Sequence, residues 1–214
     1  MSPLPILYSL RQCPYAMRAR MGLLLAKQPV ILRDVDMKNK PTEMLTASPK
    51  ATVPVLVLNH SSVIDQSLDI MLWALSKNDP KQLLHGDLVA ILELIHRTDN
   101  EFVGALKKYK AASRYHDIEK DTYRLHCEAY ISDLEQRLTQ HEYIMGDSPS
   151  LADYAILPFI RQFSRVERQW YRQAPYPSTQ RWLKEHYQQT VFTQAMAPYK
   201  LWHKGDAALL FGSN

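Results

Sequence analysis

The chain has 214 residues, enough for two small domains at roughly 100–200 residues each, and 46% of them are hydrophobic, which supports a real core. The formal charge of +4 is spread along the chain and does not by itself point to nucleic acid. The two cysteines, Cys13 and Cys127, lie far apart in unlike contexts, so they make neither a disulfide framework nor a metal site. No run of about 18 apolar residues predicts a membrane span, and the first residues lack the charged-then-apolar pattern of a secretory signal.

In chain order, Leu4–Tyr8 is an apolar run that reads as a strand. Cys13-Pro14-Tyr15-Ala16 follows, and from Pro14 to about Lys27 the pattern is helical, with Met17, Met21, Leu24 and Leu25 on one stripe. Pro14 suits the first helical position, where a missing N–H costs nothing. Cys13 therefore stands at a helix N-terminus, where partial positive charge and unpaired N–H groups favour a thiolate. Ala16 occupies the place of a second cysteine, so no local resolving thiol exists and the cycle needs an external one. Arg11, Arg18 and Arg20 bracket the thiol; Arg11 is placed to favour the thiolate, and most of the three are expected on the surface. Tyr8 and Tyr15 are potential hydroxyl donors.

Gln28-Pro29 ends the helix, Val30–Val35 reads as a second strand, and Thr42–Ala47 as a short helix. Val53-Pro54 opens a β-rich run, the mark of a strand entry compatible with a cis bond; such a bond would turn the Val53 backbone groups outward near the thiol, for an extended peptide to pair with. Val55–Leu58 and Val63–Ile64 read as a hairpin around Asn59-His60-Ser61. Gln66-Ser67 heads a helix to about Lys77, where the Ser67 hydroxyl and N–H suit a carboxylate or a plain cap. This β-α-β-α-β-β-α order is a thioredoxin-like unit over residues 1–77, and the polar stretch 78–87 reads as a linker.

Residues 88–214 read as all-helical. Leu88, Ile91, Leu92, Ile95, Phe102, Leu106 and Tyr109 form one stripe, interrupted by Asp99; Tyr123, Cys127, Tyr130, Ile131, Leu134 and Leu138 form a second, which makes Cys127 a core side chain. Ser150-Leu151-Ala152-Asp153 is a capping box heading a helix to about Arg168. Arg161, Arg165, Arg168 and Arg172 would make one basic, solvated face if that helix ran on. Tyr176–Gln189 and Val191–Met196 read as shorter helices, and Ala207–Phe211 is apolar enough to dock on the body.

Taken in order, Cys13-Pro14-Tyr15 with Ala19-Arg20-Met21, Lys38-Asn39-Lys40-Pro41, Ser48–Leu56, Asp65–Ile70 and the Ser150–Asp153 box resemble the cytosolic glutathione transferases. The likeness is to their cysteine-type branch, omega-like or of the two-domain glutaredoxin-2 type, and it spans nearly the whole chain. It implies a thioredoxin-like N-terminal domain with a helical C-terminal domain, glutathione as co-substrate, no metal, a homodimer by analogy and a cytoplasmic location. It also implies roles. Cys13 would be the nucleophile. Val53, with Pro54, would pair with the cysteinyl part of glutathione, Gln66 and Ser67 would hold its γ-glutamyl end, and Lys40 would meet the glycyl carboxylate. Tyr15 would shape the pocket. Gln66 stands where glutamate is more usual. The resemblance implies reduction of glutathione mixed disulfides, with conjugation to small electrophiles as the nearest rival. A non-catalytic, partner-binding member such as the stringent starvation protein is the rival of another class. Cys13, Pro54 and Ser67 argue against that rival; Gln66 is the one departure in its favour.

Overall fold

The computed structural model describes residues 3–59 and 62–213, so the hairpin turn expected at 60–61 lies outside the described residues. The chain forms two compact units, one of Met1–Gln82 with Gln189–Asn214 and one of Leu83–Gln188.

The first unit contains β1 (Ile6–Ser9), α1 (Pro14–Leu25), β2 (Val30–Asp34), α2 (Thr42–Ala47), β3 (Val55–Asn59), β4 (Ser62–Ile64) and α3 (Ser67–Lys77). β1 runs parallel to β2, with Ile6 opposite Ile31, and antiparallel to β3, with Leu7 opposite Leu56; β4 pairs antiparallel with β3. On β2 the alternation of a pleated strand is plain: Val30, Leu32 and Asp34 are buried, and Ile31 and Arg33 are half-buried on the opposite face. Every residue of α1 from Ala16 to Leu25 is buried, so its two internal arginines must find partners inside the protein. α1 packs closely on α3 because residue 22 is glycine: a Cβ there would lie 2.8 Å from the Met71 Cα.

The C-terminal segment Gln189–Asn214 does not belong to the helical unit, contrary to the expectation that residues 88–214 form one helical domain. Helix α10 (Thr190–Ala195) packs on α1, and β5 (Leu210–Phe211) adds a fifth strand in the order β4-β3-β1-β2-β5. The reason is an open sheet edge. β2 has free backbone groups on its outer side, and the apolar tail supplies an antiparallel partner, with Val30 opposite Phe211 and Leu32 N–H donating to Leu209 O at 2.9 Å.

The second unit contains α4 (Leu88–Arg97), a π-helical stretch Thr98–Phe102, α5 (Val103–Tyr115), α6 (Lys120–Gln140), α7 (Leu151–Ser164), α8 (Arg168–Gln173) and α9 (Pro177–Gln188). Asp99, which interrupts the first apolar stripe, sits half-buried in that π stretch. The Ser150–Asp153 capping box is formed. The fully buried Asp153 carboxylate accepts from Ser150 N–H (2.8 Å), Ser150 Oγ (2.9 Å), Ile144 N–H (3.0 Å) and Trp182 Nε1 (2.9 Å). α7 stops at Ser164, so Arg161, Arg165, Arg168 and Arg172 do not share one continuous helix face: Arg165 is the C-cap and the last two lie on α8. The charges of Arg161, Arg165 and Arg168 all act on the Tyr187 phenol, whose pKa burial raises.

Candidate active site

β1 ends at Ser9 and the chain turns before α1. The turn is closed by Cys13 N–H to Leu10 O at 3.0 Å, and the helix begins with Met17 N–H to Cys13 O at 2.9 Å. Cys13 is the N-cap, with φ −75° and ψ 123°, and Pro14 takes the first helical position. Serine or aspartate in such a place would turn its side chain back to cap the first turn. The Cys13 thiol makes no such bond to its own helix, and its Sγ lies 3.7 Å from the Val53 carbonyl oxygen. Cys13 is half-buried, packed against Tyr8, Ala16, Val35, Met44, Val53 and Val55. The Val53–Pro54 peptide bond is cis. The sulfur thus stands at the positive end of a 12-residue helix with the head of β3 beside it.

Gln66 is the N-cap of α3, exposed, with no side-chain bond to its own helix; the plain-cap use of Gln66 is therefore absent. Ser67 is the first helical residue and only 4% exposed, and its Oγ accepts from Arg18 Nη1 at 3.4 Å. Asp65, just before this cap, accepts from Ser48 Oγ at 2.8 Å and Lys50 Nζ at 2.7 Å. The bond from Lys50 holds its carboxyl below the usual aspartate range, against the effect of burial and with help from Ser48. Asp65 therefore staples the loop that leads into Val53–Pro54 to the head of α3. In that loop Ala51 has φ +53°, a conformation uncommon for residues other than glycine.

Lys40 is half-buried and lines a groove of about 720 Å³ with Asp36, Asn39, Pro41, Trp202 and Lys204 among others. Its far wall is the C-terminal segment. Trp202 N–H donates to Asp34 O at 2.8 Å, and the Trp202 ring lies under the Arg33 guanidinium at 4.1 Å. Arg33 Nη1 also donates to the Tyr8 hydroxyl at 2.6 Å. Tyr8 is buried, and burial raises its pKa in spite of the Arg33 charge, so it is not an exposed hydroxyl of the site. Tyr15 is half-buried in the first turn of α1.

The three arginines near the thiol differ from expectation. Arg18 and Arg20 are buried, at 1% and 0% exposure. Arg20 pairs with Asp34, donates to Ser9 Oγ at 2.7 Å and reaches Ala195 O at 3.2 Å. Burial raises the Asp34 carboxyl and lowers the Arg20 guanidinium, while their mutual attraction opposes both shifts. Arg11 is half-buried beside this pair: its backbone N–H bonds Asp34 and its charge is felt by both partners. These residues hold β1, β2, α1 and α10 together. Cys127 is fully buried on α6, and burial, with a contribution from Glu128, pushes its thiol up to about 12.

The structure thus brings Cys13 to Val53–Pro54 and ties Ser67 to α1 through Arg18. Arg18, Asp65 and Trp202 have no place in the site read from sequence. For Arg18 a signal existed: it lies three residues before Met21 and seven before Leu25, in line with the apolar stripe of α1. Among the described residues no group of three or more His, Cys, Asp or Glu could hold a metal ion, and no helix is long and apolar enough to cross a membrane.

Comparison with known proteins agrees with this fold. Residues 7–82 match the family model of the glutathione S-transferase N-terminal domain, and residues 119–185 that of the C-terminal domain. Glutathione S-transferase omega-1 of Mus musculus is 24% identical over 164 residues, 75% of this chain and 67% of that protein. Pyrimidodiazepine synthase of Drosophila melanogaster is 28% identical over 194 residues, 83% of this chain and 74% of that protein. A crystal structure of a glutathione transferase family member from Pseudomonas fluorescens, with two glutathione bound, shares the fold at a TM-score of 0.79 and 16% identity, over 90% of this chain and 92% of that one.

Proposed function

The chain belongs to the glutathione S-transferase family, and on that premise we propose that it is a cysteine-type member catalysing glutathione-dependent thiol transfer. The observation that carries the proposal is the placement of Cys13. It is a half-buried N-cap thiol that does not cap its own helix, 3.7 Å from the Val53 carbonyl oxygen. A thiol at the positive end of a helix is stabilised as the thiolate.

In the reaction, the Cys13 thiolate attacks the glutathionyl sulfur of a mixed disulfide. The S–S bond of the substrate breaks, its thiolate leaves and takes a proton, and Cys13 becomes a glutathione adduct. A second glutathione thiolate attacks the sulfur of bound glutathione, releasing glutathione disulfide and restoring the Cys13 thiolate. One glutathione thiol is oxidised per turnover and the substrate sulfur is reduced to a thiol; the other half of the glutathione disulfide enters already oxidised, in the mixed disulfide. Dehydroascorbate reduction draws on the same parts.

The chain's own residues bind and orient. The Val53 backbone pairs with the cysteinyl part of glutathione, Ser67 and Gln66 meet the γ-glutamyl end, and Lys40 meets the glycyl carboxylate. Tyr15 shapes the pocket beside the sulfur. The reading places the protein in a reducing compartment such as the cytoplasm, where a free thiol persists.

The test is a pair of assays on one preparation. Wild type should turn over a glutathione–hydroxyethyl mixed disulfide and conjugate chlorodinitrobenzene weakly; Cys13→Ser should lose the first activity. Efficient conjugation without disulfide reduction would make this an ordinary transferase. Absence of both activities and of retention on immobilised glutathione would favour a partner-binding member.

A further inference from the structure

We infer that Arg18 is a positioning residue that sets Ser67 as the hydroxyl donor to the carboxylate of the γ-glutamyl group; the inference rests on the glutathione reading above. Arg18 sits on α1, five residues after Cys13, and its side chain passes to the head of α3. It is 1% exposed, and its Nη1 lies 3.4 Å from the Ser67 Oγ.

The direction of this bond is fixed by chemistry. A guanidinium has donors only and keeps its charge at any accessible pH, so Arg18 donates and Ser67 accepts. A serine hydroxyl has one proton and two lone pairs. With one lone pair turned toward Arg18, its single O–H is free to point away from the guanidinium. At the first position of α3 that proton sits beside the positive end of an 11-residue helix, with a buried cation behind it. An acceptor-only, negatively charged group satisfies all three features at once; an amine or a second donor satisfies none. Arg18 also polarises the hydroxyl, which strengthens it as a donor. Ser67 alone could rotate to other partners at the helix head, and Arg18 removes that freedom.

The test is a double-mutant cycle read by calorimetric titration with reduced glutathione. Methionine keeps the length and the apolar stem of residue 18 while removing its donors. Arg18→Met should weaken glutathione binding about fivefold when Ser67 is present, the size of one ordinary hydrogen bond, and should have no effect in the Ser67→Ala background. Equal losses in both backgrounds would overturn the inference and leave Arg18 a core residue only. If wild type fails to bind glutathione, the functional reading falls and this inference with it. Should Arg18→Met fail to fold, a crystal of the wild type soaked with glutathione decides. The Ser67 Oγ should then lie within hydrogen-bond distance of both Arg18 and the γ-glutamyl carboxylate; an Oγ turned away from either would overturn the inference.

Discussion

Gly22→Ala is the perturbation that best reports how the site is held. Cys13 heads α1 and Ser67 heads α3, so the packing of these two helices sets one part of the site against the other. A Cβ on residue 22 would stand 2.8 Å from the Cα, Cβ and Cγ of Met71. Carbon atoms rest at about 3.5–4.0 Å, so α3 must retreat by roughly 1 Å, because one of the three atoms is backbone and cannot rotate away. Alanine in a helix interior is worth about 1 kcal/mol over glycine, and overpacking a core costs about 1–3 kcal/mol. The net expectation is a loss of up to about 2 kcal/mol, together with weaker glutathione binding as Ser67 is displaced from Arg18. Urea denaturation gives the first quantity and calorimetric titration with glutathione the second. A variant stabilised by about 1 kcal/mol, with unchanged glutathione affinity, would refute the close approach of α1 to α3.

Three further outcomes are expected. Iodoacetamide should modify Cys13 and spare Cys127 in the folded protein, since the latter is fully buried with its thiol pushed up to about 12; peptide mapping after alkylation distinguishes them. Asp153→Ala should destabilise the chain by about 3–5 kcal/mol, because the N–H groups of Ser150, Ile144 and Trp182 lose a buried carboxylate; a loss under 1 kcal/mol in chemical denaturation would contradict the described network. Burial pushes the Glu167 carboxyl up, but bonds from Lys120, Tyr109 and Arg124 outweigh this and hold it below its ordinary value. Its contribution is therefore present above the unfolded value of about 4.3 and is lost as pH falls through the lower folded value. Stability measured from pH 6 downward should fall less steeply in Glu167→Gln than in wild type.

Much of the first unit was legible in the sequence because its signals are local. Thr42–Ala47 is a helix as expected, α1 and α3 begin where proline and Gln66-Ser67 place them, and the cis bond at Val53–Pro54 sits where an X–Pro strand entry suggested it. What was not legible depends on partners distant in sequence. Arg20 is buried because Asp34 and the Ala195 carbonyl, 14 and 175 residues away, receive it. No periodicity announces such a pair, and because one helix cannot aim Arg11, Arg18 and Arg20 at a single point, most of them were expected on the surface. The C-terminal tail read as a docking segment, but that it would join the first unit and extend its sheet follows from the open edge of β2. The basic face was broken by the end of α7 at Ser164, where no proline or glycine marks the stop. Asp65 shows the limit of motif reading: it lies inside a matched stretch, yet its partners Ser48 and Lys50 come from a different one.

The most direct measurement of the central claim is intact-protein mass spectrometry after brief exposure to a glutathione mixed disulfide. A single glutathione adduct is predicted, located on Cys13 by peptide mapping, removed by reduced glutathione and absent from Cys13→Ser. An adduct on Cys127, or catalytic reduction of the disulfide by Cys13→Ser at the wild-type rate, would contradict the account.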